Sequence, residues 1–213
     1  MPEKEIETFC PANRYQWREW LHEHHDSRQS VWLIYHKKNS ATTGIMYSDA
    51  VEEALCFGWI DSTVKPVDEE RYRQFFSRRK PTSTWSKVNK ERVRRLVDSG
   101  QMMEAGLAGI DLAKQNGSWE ILDDVEALVI PADLEKAFAE RPTARDYFAS
   151  LCRSDKRNML QWLVLAKRPE TRQNRITELV DRANLQLKPK ALLWTKKQPA
   201  TGSDDTVSNS QTD

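Results

Sequence analysis

One corner of the chain restricts its folding more than any other stretch. In SDAVEEALCFGWIDSTVKPV, residues 48–67, Val51, Ala54 and Leu55 fall on one helical face, Ser48 stands where an N-cap belongs, and Gly58 supplies the stop. WIDSTVKPV then reads as a strand, so a helix and a strand must meet within a residue or two of Gly58. Cys56, inside this corner with no histidine near it in sequence, reads as a small buried hydrophobe rather than a nucleophile.

The flanking segments extend the same mixed pattern. NRYQWREWLHEHHD has Tyr15, Trp17, Trp20 and Leu21 near one stripe and predicts an amphipathic helix, and SVWLIYHKK is rich in β-branched and aromatic residues and predicts a strand. RYRQFFSRR is a candidate partner strand, which Pro81 must end. Beyond it a helix is expected from Ser83 or Ser86 to Gly100, and a second, EAGLAGIDLAKQ, in which Gly106 and Gly109 would permit close packing. Past NGSWEILDD the strand signals fade. IPADLEKAFAE, TARDYFASL, SDKRNMLQWLVLAK and PETRQNRITELVDRANL predict successive helices, with Pro131 and Pro169 at first-turn positions.

The expected fold is therefore α+β. Residues 1–122 form an N-terminal domain of a few strands with several helices, and residues 131–187 an all-helical C-terminal domain. Residues 188–213 are rich in Lys, Pro, Thr, Gly, Ser, Asp and Asn and read as a disordered tail with too little apolar area to repay ordering. Charged residues make up 31% of the chain and mean hydropathy is -0.75, yet eight tryptophans argue for folded units.

No stretch approaches the roughly 20 apolar residues of a membrane helix, so no membrane insertion is expected. Nothing near the N-terminus resembles a secretory signal. Three cysteines without C-x-x-C spacing do not suggest a disulfide framework or a zinc site, and a cytoplasmic location is expected. His22, His24 and His25 lack a paired ligand motif and predict a polar helix end, with no metal. No catalytic triad, Walker loop or dinucleotide fingerprint is present, so no cofactor is expected and catalysis is left open.

Charge is unevenly distributed. The whole chain carries +1, but residues 71–95 hold ten Lys and Arg against a single Glu91. Such a field draws anions over about one Debye length, about 8 Å at physiological salt. Within it, RRKPTSTWS places Arg79 beside the start of a helix with Ser83, Trp85, Ser86 and Asn89 in reach, a combination of cation, hydroxyls and free backbone N–H groups suited to carboxylate, sulfate or phosphate. Asp61, after Trp59, is the carboxylate most exposed to low-dielectric surroundings; it is either a proton carrier, a cation anchor or a structural partner of Arg79. Trp59, Asp61, Arg79, Ser83, Trp85, Ser86 and Asn89 are thus the candidate site for a small anionic ligand.

Lys167, Arg172 and Arg175 form a second dense set with Arg168. They are candidates for a second anion contact, or for a salt-bridged seam between helices. Two other function classes stand beside the ligand pocket. The basic stretch interleaved with Tyr72, Phe75, Phe76 and Trp85 admits a nucleic-acid-binding regulator, and Asp61 as acid or base admits an enzyme of unknown type.

Two groups of motifs carry a family resemblance. The first runs from VWLIYHKK through YSDAVEEALCFGWIDS to SRRKPTSTWSKVNKERV. The second comprises IPADLEKAF, ARDYF and SDKRNMLQWLVLAKRPETRQNRI, with A-K-R-x-E-T-R-x-x-R-I as its most specific string. Together they resemble the bacterial YdeI/OmpD-associated, or bacteriocin-protection, family. The resemblance implies a cytoplasmic protein linked to bacteriocin tolerance or envelope stress, and brings no established reaction with it.

Overall fold

The structure is a computed structural model and describes residues 6–193. The chain divides between Ile130 and Pro131 into two compact units, and the fold is α+β. The first unit contains β1 (Thr8–Phe9), α1 (Arg14–His24), β2 (Ser30–His36), α2 (Tyr47–Cys56), β3 (Trp59–Pro66), β4 (Arg71–Arg78), α3 (Lys87–Asp98), α4 (Glu104–Gln115) and the single turn α5 (Asp123–Glu126).

Its four strands form one sheet in the order β1-β2-β4-β3, with β4 antiparallel to both neighbours and β1 parallel to β2. Alternation sends Val31, Leu33 and Tyr35 of β2 and Gln74 and Phe76 of β4 inward. They meet the buried faces of α1 and α2 in a core that includes Trp17, Trp20, Leu21, Val51, Leu55, Trp59 and Trp85. Trp17 lies 5.2 Å from Trp20 and 5.5 Å from Phe76, ring to ring. Tyr15, placed on the apolar stripe by its nearness to Trp17, is 67% exposed. Two residues along a helix is about 200°, which turns it to the opposite face.

Two glycines make the corner around α2 possible. Gly58 has φ +73°, the left-handed conformation that lets the chain leave α2 and enter β3. A Cβ on Gly106 of α4 would stand 2.3 Å from the Cys56 carbonyl oxygen, so that helix packs against the end of α2 backbone to backbone. Ser48 does not cap α2. The helix begins at Tyr47 after Met46, without a side-chain cap, and the Ser48 hydroxyl turns to Asp49 instead. Ser86 does cap α3, its Oγ accepting from Asn89 N–H at 3.3 Å.

The second unit contains α6 (Ala132–Ala139), α7 (Pro142–Ser150), α8 (Arg153–Val164) and α9 (Pro169–Asn184). The long α9 packs against the other three, burying Ile176, Leu179, Val180 and Ala183. Phe138 and Phe148 pack at 5.4 Å. Pro131 is the residue before α6, whereas Pro169 occupies the first turn of α9. Residues 188–193, counted with the tail by composition, carry a 3-10 turn at Lys190–Leu192. It is tied down by Lys188 on Asp155 at 2.7 Å and by the Lys190 N–H on Glu178 at 2.8 Å. The expected tail beyond them, with Trp194, lies outside the described residues.

Candidate functional site

The site grows out of the β3–β4 pairing. Trp59 pairs with Arg78, and the Arg79 N–H donates to the Gly58 carbonyl at 2.9 Å, so the ladder is carried one residue past β4 and Arg79 is fixed beside the glycine corner. Its guanidinium carbon lies 3.6 Å from the centre of the buried Trp85 ring, and one terminal nitrogen donates to the Thr84 carbonyl. The other terminal nitrogen and Nε are covered and have no acceptor among the described residues. Burial pushes the guanidinium down to about 10, with the negative charge of Asp61 opposing that fall. Arg79 has no carboxylate partner in an ion pair among the described residues.

Beside it opens a cavity of about 250 Å³ lined by His25, Asp26, Gly58, Arg78, Arg79 and Lys80, among others. Arg78 donates from Nε to the Arg28 carbonyl at 2.9 Å, while one of its terminal nitrogens is also covered without an acceptor. His25 Nδ1 lies 3.0 Å from the Leu21 carbonyl, which fixes that nitrogen as the N–H donor. Two guanidinium groups with unmet donors therefore border one cavity.

Asp61 sits on the inward side of β3, and one of its oxygens accepts from Tyr47 Oη at 3.0 Å and from Gln74 Nε2 at 2.6 Å. The Tyr47 phenol is pushed up by burial and by Asp61, an effect that Arg92 opposes. Arg92 in turn donates to Asn89 Oδ1 at 3.2 Å. Tyr35, 1% exposed and stacked on Tyr72 with ring centroids 5.0 Å apart, has a buried hydroxyl with no partner. Burial and the nearby Tyr72, Asp61 and Tyr47 push its phenol far up.

The seven candidate residues thus separate into four environments. Arg79 and Trp85 are in contact at the cavity. Asp61 and Asn89 belong to the Tyr47, Gln74 and Arg92 group, with Asp61 close enough to Arg79 to act on it electrostatically; Ser86 caps the helix that carries Asn89. Trp59 is core, fully buried, with its Nε1 donating to the His25 carbonyl at 3.2 Å. Ser83 lies in the turn before α3, its N–H on the Lys80 carbonyl at 2.9 Å. Tyr47, Gln74 and Tyr35 were not singled out from the sequence, and His25 was read only as part of a polar helix end. The signal for Gln74 was there: it is an amide at an inward position of a strand, and buried polar groups require partners.

Much of the basic stretch is engaged within the first unit. Arg71 pairs with Asp68 at 2.7 Å, Arg95 with Glu52 at 3.1 Å, and Lys90 with Asp123. Arg73 lies 4.6 Å from the centre of the Trp32 ring. In the helical unit, Arg172 grips Asp133 with two nitrogens at 2.5 and 2.9 Å and also reaches the Leu163 carbonyl at 3.3 Å. Arg175 donates to the Trp162 carbonyl and lies 5.1 Å from that ring's centre, while Lys167 is exposed. Among the described residues, no group of three or more His, Cys, Asp or Glu is disposed to hold a metal ion. No helix among them is long and apolar enough to cross a membrane.

Comparison with protein families divides the chain in the same order. Residues 9–109 match the model of a domain of unknown function, DUF8412, and residues 127–184 match the family described as Bacteriocin-protection, YdeI or OmpD-Associated. The helical unit carries a domain of the YdeI or OmpD-associated family. No curated protein and no solved structure matches the chain.

Proposed function

We propose that this is a cytoplasmic binding protein whose first unit holds a small anion, a carboxylate, sulfate or phosphate group, at Arg79, and that this binding underlies a role in bacteriocin tolerance. The observation that carries the reading is the state of Arg79. A guanidinium withdrawn from water, with two nitrogens lacking acceptors and no paired carboxylate, is costly unless an anion completes it. Planar donors of this kind match carboxylate and phosphate oxygens, and the indole beneath holds the group in place. Asp61 lies on the far side of that role: it tempers the cation rather than neutralising it. The tolerance link is supported by the name of the family matched at residues 127–184.

Native mass spectrometry of the full chain tests the reading directly. Phosphate, sulfate and acetate titrated into the wild type should give a retained adduct that the Arg79→Met variant lacks. Equal retention by both proteins would refute an anion site at Arg79.

A further inference from the structure

A larger depression lies elsewhere on the first unit. Helices α3 and α4 border a groove of about 580 Å³, a size typical of small-molecule sites. Val93 and Ile110, both almost fully buried, are part of its apolar lining. Val97 and Leu107 also line it, 47% and 41% exposed, so a strip of aliphatic surface is in contact with water.

Cations cluster at one part of this groove. Lys90 and Lys114, from different helices, lie 5.2 and 5.7 Å from the centre of the same Trp119 ring, and Lys87 stands one helical turn before Lys90. Among the described residues, only Lys90 of these three has a carboxylate on it, from Asp123. Two ammonium groups therefore gather around one indole, and Lys87 lines the same groove a turn away. Asp98, which ends α3, lines the groove further along, while Glu91 and Asp111 each stand one helical turn from one of these lysines.

We propose that this groove binds a free single-chain amphiphile with an anionic head group. The head sits among Lys87, Lys90 and Lys114 against Trp119, and the alkyl chain lies over Val93, Val97, Leu107 and Ile110. Asp98, at the end of α3 away from Lys87 and Lys90, disfavours the reversed orientation, because it would face the anionic head. Covering Val97 and Leu107 removes apolar area from water, which drives the tail; the lysines select the charge. A folded protein partner fits less well, since a standard interface takes about 20–30 residues a side and this groove is lined by 12.

The test is calorimetric titration of the full chain with dodecanoate held below its critical micelle concentration. Butyrate supplies the head without the tail, and dodecyltrimethylammonium supplies the tail with the opposite charge. One dodecanoate should bind, with no measurable heat from butyrate and at least tenfold weaker binding of the cation. Lys114→Glu and Leu107→Asp both alter exposed side chains, and circular dichroism melts will show them folded; each should weaken dodecanoate at least tenfold. Arg79→Met should leave dodecanoate affinity unchanged, which separates this groove from the anion cavity. Equal binding of the cationic amphiphile, affinity within twofold of wild type in either groove variant, or loss of binding in Arg79→Met would overturn the proposal.

Discussion

Replacing Arg79 by methionine separates a ligand-holding cation from a structural one. Methionine keeps an unbranched chain over the Trp85 ring and removes the charge and its donors. The fall of the guanidinium to about 10 corresponds to roughly 3 kcal/mol against the charged form, which the variant no longer bears. Against this, the Thr84 carbonyl loses its donor at a cost of about 1–3 kcal/mol, and the indole loses a cation worth about 0.5–2 kcal/mol. The terms nearly cancel, so in chloride buffer the variant should lie between about 1.5 kcal/mol more stable and about 2 kcal/mol less stable. Because the folded-state value is lowered, the cost of the charge is fully present below about pH 10 and is relieved as pH rises past it, the folded chain releasing its proton first.

The contrast comes with anion present. At one hundred times its dissociation constant, a ligand that binds only the folded state adds about 2.7 kcal/mol. Urea unfolding at pH 7, with phosphate replacing chloride at constant ionic strength, should show this gain in the wild type and none in Arg79→Met. Tryptophan fluorescence reports mainly on the first unit, which holds six of the eight tryptophans. Equal phosphate stabilisation of both proteins, or a loss of more than about 4 kcal/mol in the variant without anion, would refute the reasoning and make Arg79 a structural cation.

Asp61→Asn should cost about 1–2 kcal/mol in the same urea assay, since two bonds to a carboxylate become bonds to an amide, while anion affinity at Arg79 rises with the competing charge gone. Weaker anion binding in that variant would instead put Asp61 in contact with the ligand. Gly106→Ala should destabilise by about 2 kcal/mol or more, because its Cβ meets the Cys56 carbonyl rather than a movable side chain; a urea midpoint equal to wild type would show that α4 can shift freely. Burial pushes the Cys56 thiol up to about 11, so iodoacetamide at pH 8 should label only the exposed Cys10 and Cys152 in the folded chain and all three in urea, as counted by mass spectrometry.

The parts of the fold that depend on neighbouring residues were legible in the sequence. The stop at Gly58, the strand after it, the cap at Ser86 and the four helices of the second unit all follow from local periodicity and punctuation. β1 was not, because two residues make a strand only through parallel pairing with β2, far along the chain. The Ser48 cap was misplaced for a related reason: the helix starts two residues earlier than a Ser48 cap would set it, with Tyr47, whose hydroxyl is held by Asp61 from β3.

The candidate site shows the same division between residue type and partnership. Arg172 was visible as part of a helical row of cations, but its partner Asp133 lies 39 positions away, on α6, and pairing makes of it a clamp inside the helical unit. The ten cations between residues 71 and 95 read as one field when counted along the chain. Folding divides that field: Arg71, Lys90 and Arg95 acquire carboxylates, and Arg92 turns to Asn89. Arg79 is left nearly dry, on a tryptophan, with a carboxylate close enough to feel but not to pair. Its character comes from what the fold withholds, and that is settled by how β3 and the segment through Thr84 and Trp85 come together around it, to which no local pattern of residues gives access.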